Sequence, residues 1–177
     1  ISRPSLQGFH QIENASTALT TAMLLKENDY KIKLSSLGKS IYNTKWPGRI
    51  EKIRFKNKYI IFDGAHNLSG AEKLMKYLKE SNIRPNVVFG MLKNKKAYEF
   101  LSILKKNIDS LYPIKIPDEK NAYTQKEIYN ISKELKLNTV IKKNLVNINK
   151  LLINNSNKYI LITGSLYLVG KIRKNYL

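Results

Sequence analysis

Apolar residues in this chain fall into two rhythms. Short continuous runs, Ile50 to Phe55, Tyr59-Ile60-Ile61-Phe62, Asn86 to Phe89, Ser110 to Ile116 and Tyr159 to Thr163, have the length and the β-branched and aromatic content of buried strands. Between them the apolar positions fall three and four apart, as in Leu68, Ala71, Leu74 and Leu78, which predicts helices over Leu68–Ser81, Ala97–Lys106, Gln125–Leu135 and Leu145–Asn154. A further helix follows Ser165, and Thr139 to Ile141 is a weaker strand. Strands and helices alternating at this length predict an α/β fold, a mainly parallel sheet with helices on both faces.

The first forty residues differ. Leu6 to Asn28 carries small apolar residues at helical spacing (Ala15, Ala18, Ala22, Leu25), with Gly8, His10, Gln11 and Asn14 gathered at its start. A second amphipathic helix spans Leu34 to Tyr42. Trp46-Pro47-Gly48 then reads as a turn and linker into a new domain, with Arg49 opening the next strand. Lys56-Asn57-Lys58 reads as a hairpin connection.

Charge and composition narrow the class. A formal charge of +19 suggests nucleic acid or another anionic surface. Lysine, however, far outnumbers arginine, and lysines are spread over every segment rather than gathered into one arm, as an AT-rich coding sequence would produce. A dedicated nucleic-acid footprint is therefore disfavoured against a site for a small anionic ligand. Cysteine is absent, which removes disulfides and thiolate metal sites and suits a reducing cytoplasm. No apolar run approaches the roughly 20 residues that span a bilayer. The chain opens on Ile1-Ser2-Arg3-Pro4, without Met and without a signal-peptide core, and reads as the interior of a longer gene product.

Candidate chemistry sits at strand ends, where open α/β sheets bind ligands. Asp63 closes the run Tyr59 to Phe62, and Gly64, Ala65, His66 and Asn67 form a polar corner before the next helix. Asp63 can equally be a turn residue, and Asn67 or Ser69 a helix cap. Asn14 shares a helix face with His10, and its amide can pair with an adenine edge or serve as a cap. Arg49 offers a planar, permanently charged fork suited to phosphate, or a surface charge. It lies level with Asp63 only if their strands are antiparallel neighbours. Gly164-Ser165, between a strand and a helix, is either an anion site or a plain N-cap. No Gly-x-x-x-x-Gly-Lys-Ser/Thr loop, His-Glu-x-x-His motif or Gly-x-Ser-x-Gly elbow occurs, so any phosphate loop lies elsewhere.

Four stretches, in order, Leu6-Gln7-Gly8-Phe9-His10-Gln11-Ile12-Glu13-Asn14-Ala15, Trp46-Pro47-Gly48-Arg49-Ile50-Glu51, Asp63-Gly64-Ala65-His66-Asn67 and Gly164-Ser165-Leu166-Tyr167-Leu168-Val169-Gly170, resemble the folylpolyglutamate synthase/dihydrofolate synthase family of the Mur ligase superfamily. Gly64 and Leu68 stand where the cell-wall Mur ligases carry Tyr and Pro, which favours the folate branch. The resemblance covers the second part of the family's pattern. It implies that residues 1–44 are the tail of a central ATPase domain plus linker, and that 45–177 form the Rossmann-like C-terminal domain. The phosphate loop and magnesium ligands are expected upstream.

By the same resemblance, Asn14 contacts adenine, Arg49 the nucleotide phosphates and Asp63 the ribose. His66 lies beside the nucleotide and the incoming glutamate, and Ser165 contacts the amino acid. The implied partners are ATP with Mg2+, L-glutamate, and folate or dihydropteroate, acting on a cytoplasmic monomer without nucleic acid or membrane. Three other products fit the residues: a sibling Mur-type ligase with another acceptor, a non-catalytic fragment or split-gene product, and a basic nucleic-acid-binding module. One departure stands out. Where the family often has Asp-Lys-Asp, this chain has Asn94-Lys95-Lys96.

Overall fold

A computed structural model describes residues 4–142 and 156–176. Two helices come first, α1 (His10–Glu27) and α2 (Leu34–Asn43). There follow β1 (Glu51–Phe55), β2 (Lys58–Phe62), α3 (Leu68–Glu80), β3 (Asn86–Phe89), α4 (Ala97–Leu104), β4 (Leu111–Pro113), α5 (Gln125–Glu134), β5 (Tyr159–Thr163) and α6 (Leu166–Arg173). The five strands form one sheet in the order β1-β2-β5-β3-β4. Among the described strands only the β1–β2 pair is antiparallel; β2–β5, β5–β3 and β3–β4 are parallel.

The continuous apolar runs are explained by burial on both sides of the sheet. Ile61, Val87, Phe89, Leu111 and Leu161 pack with α3, α4 and α5 in one cluster. Their neighbours in sequence, Ile60, Phe62, Val88, Tyr112, Ile160 and Ile162, turn to the other face and pack with Leu168, Val169 and Ile172 of α6. The period of two along β2, β3, β4 and β5 thus separates two apolar cores rather than core from solvent, whereas the edge strand β1 alternates half-buried with exposed residues. The mainly parallel α/β sheet with helices on both faces is the architecture expected from the pattern.

Several boundaries differ from the sequence reading. α1 starts at His10, not Leu6, because Gly8 takes φ +100 and breaks the helical path. Arg49 and Ile50 do not begin β1. Ile50 has φ +48, incompatible with a strand, so both belong to the preceding turn. The run at 110–116 pairs as β4 only over Leu111–Pro113. α4 ends at Leu104 and tightens into a 3₁₀ turn over Lys105–Asn107. Thr139 makes a single parallel bridge to Leu111 in place of a strand. The helix expected over Leu145–Asn154 lies outside the described residues.

The register sets up the site. Phe62 pairs with Ile162, and Phe89 with Thr163, so β2, β5 and β3 end level with one another. Asp63 and Gly164 therefore leave the sheet at one edge. Gly164 has φ +100, and a Cβ there would come 2.6 Å from both the Gly90 carbonyl and the Phe89 ring, so only glycine lets these strand ends approach.

Candidate nucleotide and substrate site

Asp63 is held by the backbone on either side of it. Its Oδ2 accepts from the Ile50 N–H at 3.0 Å and its Oδ1 from the Ala65 N–H at 2.9 Å. The first of these bonds exists because β1 and β2 are antiparallel, the condition that brings Arg49 beside Asp63. Burial, at 7% exposure, pushes the Asp63 carboxyl above its ordinary value, while the two amides and the Arg49 and His66 charges pull it back. Each carboxylate oxygen keeps acceptor capacity for a further donor.

At the start of α1 a side-chain chain of hydrogen bonds sets the amides. Asn14 Nδ2 donates to Gln11 Oε1 at 3.1 Å, and Gln11 Nε2 lies 2.9 Å from His10 Nε2. An amide nitrogen only donates, so His10 Nε2 is the acceptor and the ring is neutral there. Burial, then the positive charges of Lys73 and Arg49, lower the His10 pKa and favour that form. Gln11 is the one buried residue of α1, and its partner Asn14 stays exposed.

Asn14, Arg49 and Asp63, drawn from three separate stretches of sequence, line one cavity of about 180 Å³ with His10, Lys73 and Ser69. Asn14 and Arg49 also border a second, more apolar cavity of about 340 Å³ walled by Leu6, Ala15, Ala18, Ile41 and Trp46. One space thus offers acceptor and cation, and the adjoining one a flat apolar wall with an amide at its edge. That combination fits a nucleoside phosphate.

His66 and Ser165 come together elsewhere, in a cavity of about 490 Å³ with Leu92, Asn94, Lys95 and Tyr167. His66 Nδ1 lies 2.9 Å from the Gly64 carbonyl, which only accepts, so Nδ1 carries a proton and donates it there. Ser165 caps α6, its Oγ accepting from the Tyr167 N–H at 3.1 Å, and is 3% exposed. Asn67 caps α3 through the Gly70 N–H at 2.8 Å and also borders the Asp63 cavity. Both capping readings hold, and neither removes the residue from a cavity wall.

Lys73 was not singled out by sequence, and Ser69 was read there only as a helix cap. Ser69 and Lys73 are four apart on the polar side of α3, a spacing that could have marked them. Lys95 lies in the Asn94-Lys95-Lys96 departure. Among the described residues no three His, Cys, Asp or Glu side chains converge as metal ligands would.

Comparison with known proteins gives this geometry a setting. The family described as "Dihydrofolate synthetase, C-terminal domain" matches residues 48–175. The chain is 34% identical to the dihydrofolate synthase/folylpolyglutamate synthase of Bacillus subtilis, over 97% of this chain and 40% of that protein. It is 27% identical to the folylpolyglutamate synthase of Lacticaseibacillus casei, with the same two coverages. The crystal structure of Thermotoga maritima folylpolyglutamate synthase superposes with a TM-score of 0.78 at 26% identity, over 97% of this chain and 39% of that one. Escherichia coli FolC, solved in complex with DHPP and ADP, shares the fold with a TM-score of 0.80 at 23% identity, over 99% of this chain and 40% of that one. The chain therefore spans about two-fifths of the length of the curated relatives it matches.

Proposed function

The chain belongs to the folylpolyglutamate synthase/dihydrofolate synthase family of the Mur ligases, as its C-terminal portion, and from that premise we propose that it completes an ATP-dependent ligase joining L-glutamate to a folate or to dihydropteroate. The observation that carries this reading is the convergence of Asn14, Arg49 and Asp63 on one cavity. Asn14 offers its amide to the adenine edge, Asp63 accepts from the ribose hydroxyls, and Arg49 sets a guanidinium against the phosphates.

The reaction activates the folate carboxylate by transfer of the γ-phosphoryl group of ATP. The amine of L-glutamate then attacks the acyl carbonyl and phosphate leaves. Arg49 spreads the charge that develops on the transferring group. His66 and Ser165, with Lys95 in the same wall, receive the amino acid. A cation beside them suits a substrate that carries carboxylates, which gives the Asn94-Lys95-Lys96 loop a use despite its lost acids. Magnesium belongs to this family's chemistry. Its ligands are expected, by the family's pattern, upstream of these residues.

The domain division follows. Residues 1–44 are the tail of the ATPase domain, and 45–177 close over the nucleotide as a monomeric, cytoplasmic enzyme's C-terminal domain. Exposed Ile12, Met23, Leu24 and Leu25 on α1 support a covering ATPase domain. The test is ATP consumption by the intact polypeptide with L-glutamate and, in turn, dihydropteroate, tetrahydrofolate and a cell-wall nucleotide precursor. Glutamate-dependent ADP release with a pteridine acceptor is the expected result. Turnover with the cell-wall precursor alone, or none with any acceptor, overturns the reading.

A further inference from the structure

Arg49 is displayed from a turn whose backbone is left-handed on both sides of it and strained at Ile50. Gly48 has φ +73 and Ile50 φ +48, and both are buried while Arg49 is exposed. A β-branched residue at positive φ is an outlier that persists only where its surroundings over-determine it. Four hydrogen bonds restrain the turn, one of them from the Arg49 N–H to the Trp46 carbonyl at 3.3 Å. Ile50 N–H donates to Asp63 Oδ2 at 3.0 Å, the Gly48 carbonyl accepts from Gly64 N–H at 2.8 Å, and Gly48 N–H donates to Glu51 Oε2 at 3.0 Å.

The last of these depends on a distant residue. Arg173, in the final turn of α6, grips Glu51 with both teeth of its fork, Nε to Oε2 at 2.7 Å and Nη2 to Oε1 at 2.7 Å. Both side chains are about a quarter exposed, at 27% for Arg173 and 22% for Glu51. A carboxylate fixed at both oxygens has one orientation, and Oε2 in that orientation is what holds Gly48. Ser165 caps the start of the same helix, so α6 runs from the His66 cavity to the turn that bears Arg49. Residue choice agrees. Only five of the chain's 32 basic residues are arginine, and one stands where a bidentate grip is made that lysine cannot reproduce.

We propose that Arg173 is a positioning residue for the nucleotide site: through Glu51 it locks the strained 46–50 turn so that Arg49 is presented in one place. This rests on the phosphate role given to Arg49 above. Misplacement of a binding group by about 1 Å is enough to cost rate, so the effect falls on ATP use rather than on the fold.

The experiment is a double-mutant cycle in the intact polypeptide, using MgATP kinetics together with hydrogen exchange. Arg49→Ala, Arg173→Met, and the two combined form the cycle, with Arg173→Lys and Glu51→Gln as gentler variants. Arg173→Met should lower kcat/KM for ATP about tenfold. Arg173→Lys should recover little of it. In the Arg49→Ala background the same change should cost less than about twofold, since the group being positioned is gone. Amides of 46–50 should exchange faster while those of 159–163 do not.

Independent, multiplying losses overturn the proposal, as does unchanged exchange at 46–50 in Arg173→Lys and Glu51→Gln. An Arg173→Met protein that exchanges faster everywhere leaves those two variants to decide by the same criterion. A silent Arg173 beside a damaging Arg49→Ala overturns this proposal alone. A silent Arg49→Ala removes the phosphate role and this proposal with it.

Discussion

The inner strands and the two leading helices bury their residues in opposite ways. β3 buries all four of its residues and β2 all but Tyr59, whereas α1 buries only Gln11 and α2 none. The sheet is closed on both faces by its own chain. α1 leaves Ile12, Met23 and Leu24 at 45%, 53% and 55% exposure. The candidate nucleotide cavity lies on the seam between these regions, taking Asn14 from α1 and Arg49 and Asp63 from the sheet edge. A rigid half thus fixes the charged groups, and a sparsely packed half brings the amide that would read the base. Closure and opening of the site concern the second half more than the first.

The contrast can be broken by single changes. Leu161, fully buried in β5, should cost about 2–5 kcal/mol when replaced by alanine, measured by denaturant unfolding. A loss below about 1 kcal/mol would mean the sheet core is looser than its packing suggests. The next effect in size is pH-dependent. His10 is held neutral, its pKa below the ordinary 6.5, mainly by burial. Because the unfolded chain takes up that proton first, its contribution is complete above the ordinary value and is lost as pH falls below it. Wild type should therefore lose more stability than His10→Gln when unfolding is compared across that range, and parallel curves would place His10 in water. Leu24→Ala, on the exposed face of α1, should change the stability of the isolated chain by less than about 0.5 kcal/mol. A core-sized loss there would erase the distinction between the two regions.

How far sequence reached can be judged from particular residues. Tyr159–Thr163 was legible to the residue because an apolar strand buried on both faces leaves a continuous signal. The antiparallel hairpin was legible in Lys56-Asn57-Lys58, and it is what brings Arg49 to Asp63. Ile50 was not. A β-branched residue beside a strand reads as strand, and its φ of +48 goes with a hydrogen bond to the Asp63 carboxylate, thirteen residues away. Asn14 and Asp63 were each readable as site residues, but their shared cavity depends on where α1 docks, which no local pattern encodes. Lys95 was noted only as part of a departure from the family pattern and the Arg173–Glu51 grip not at all, since each gains meaning only from a contact between distant segments.

The most direct test of the account is the affinity of the intact polypeptide for MgATP, measured by titration calorimetry for wild type and Arg49→Ala beside their unfolding temperatures. Arg49 is exposed and its backbone neighbours carry the packing, so the variant should bind at least about tenfold more weakly, roughly 1.4 kcal/mol, with an unfolding midpoint within a few degrees of wild type. Equal affinity in the two proteins would contradict a nucleotide site at the Asn14–Arg49–Asp63 cavity.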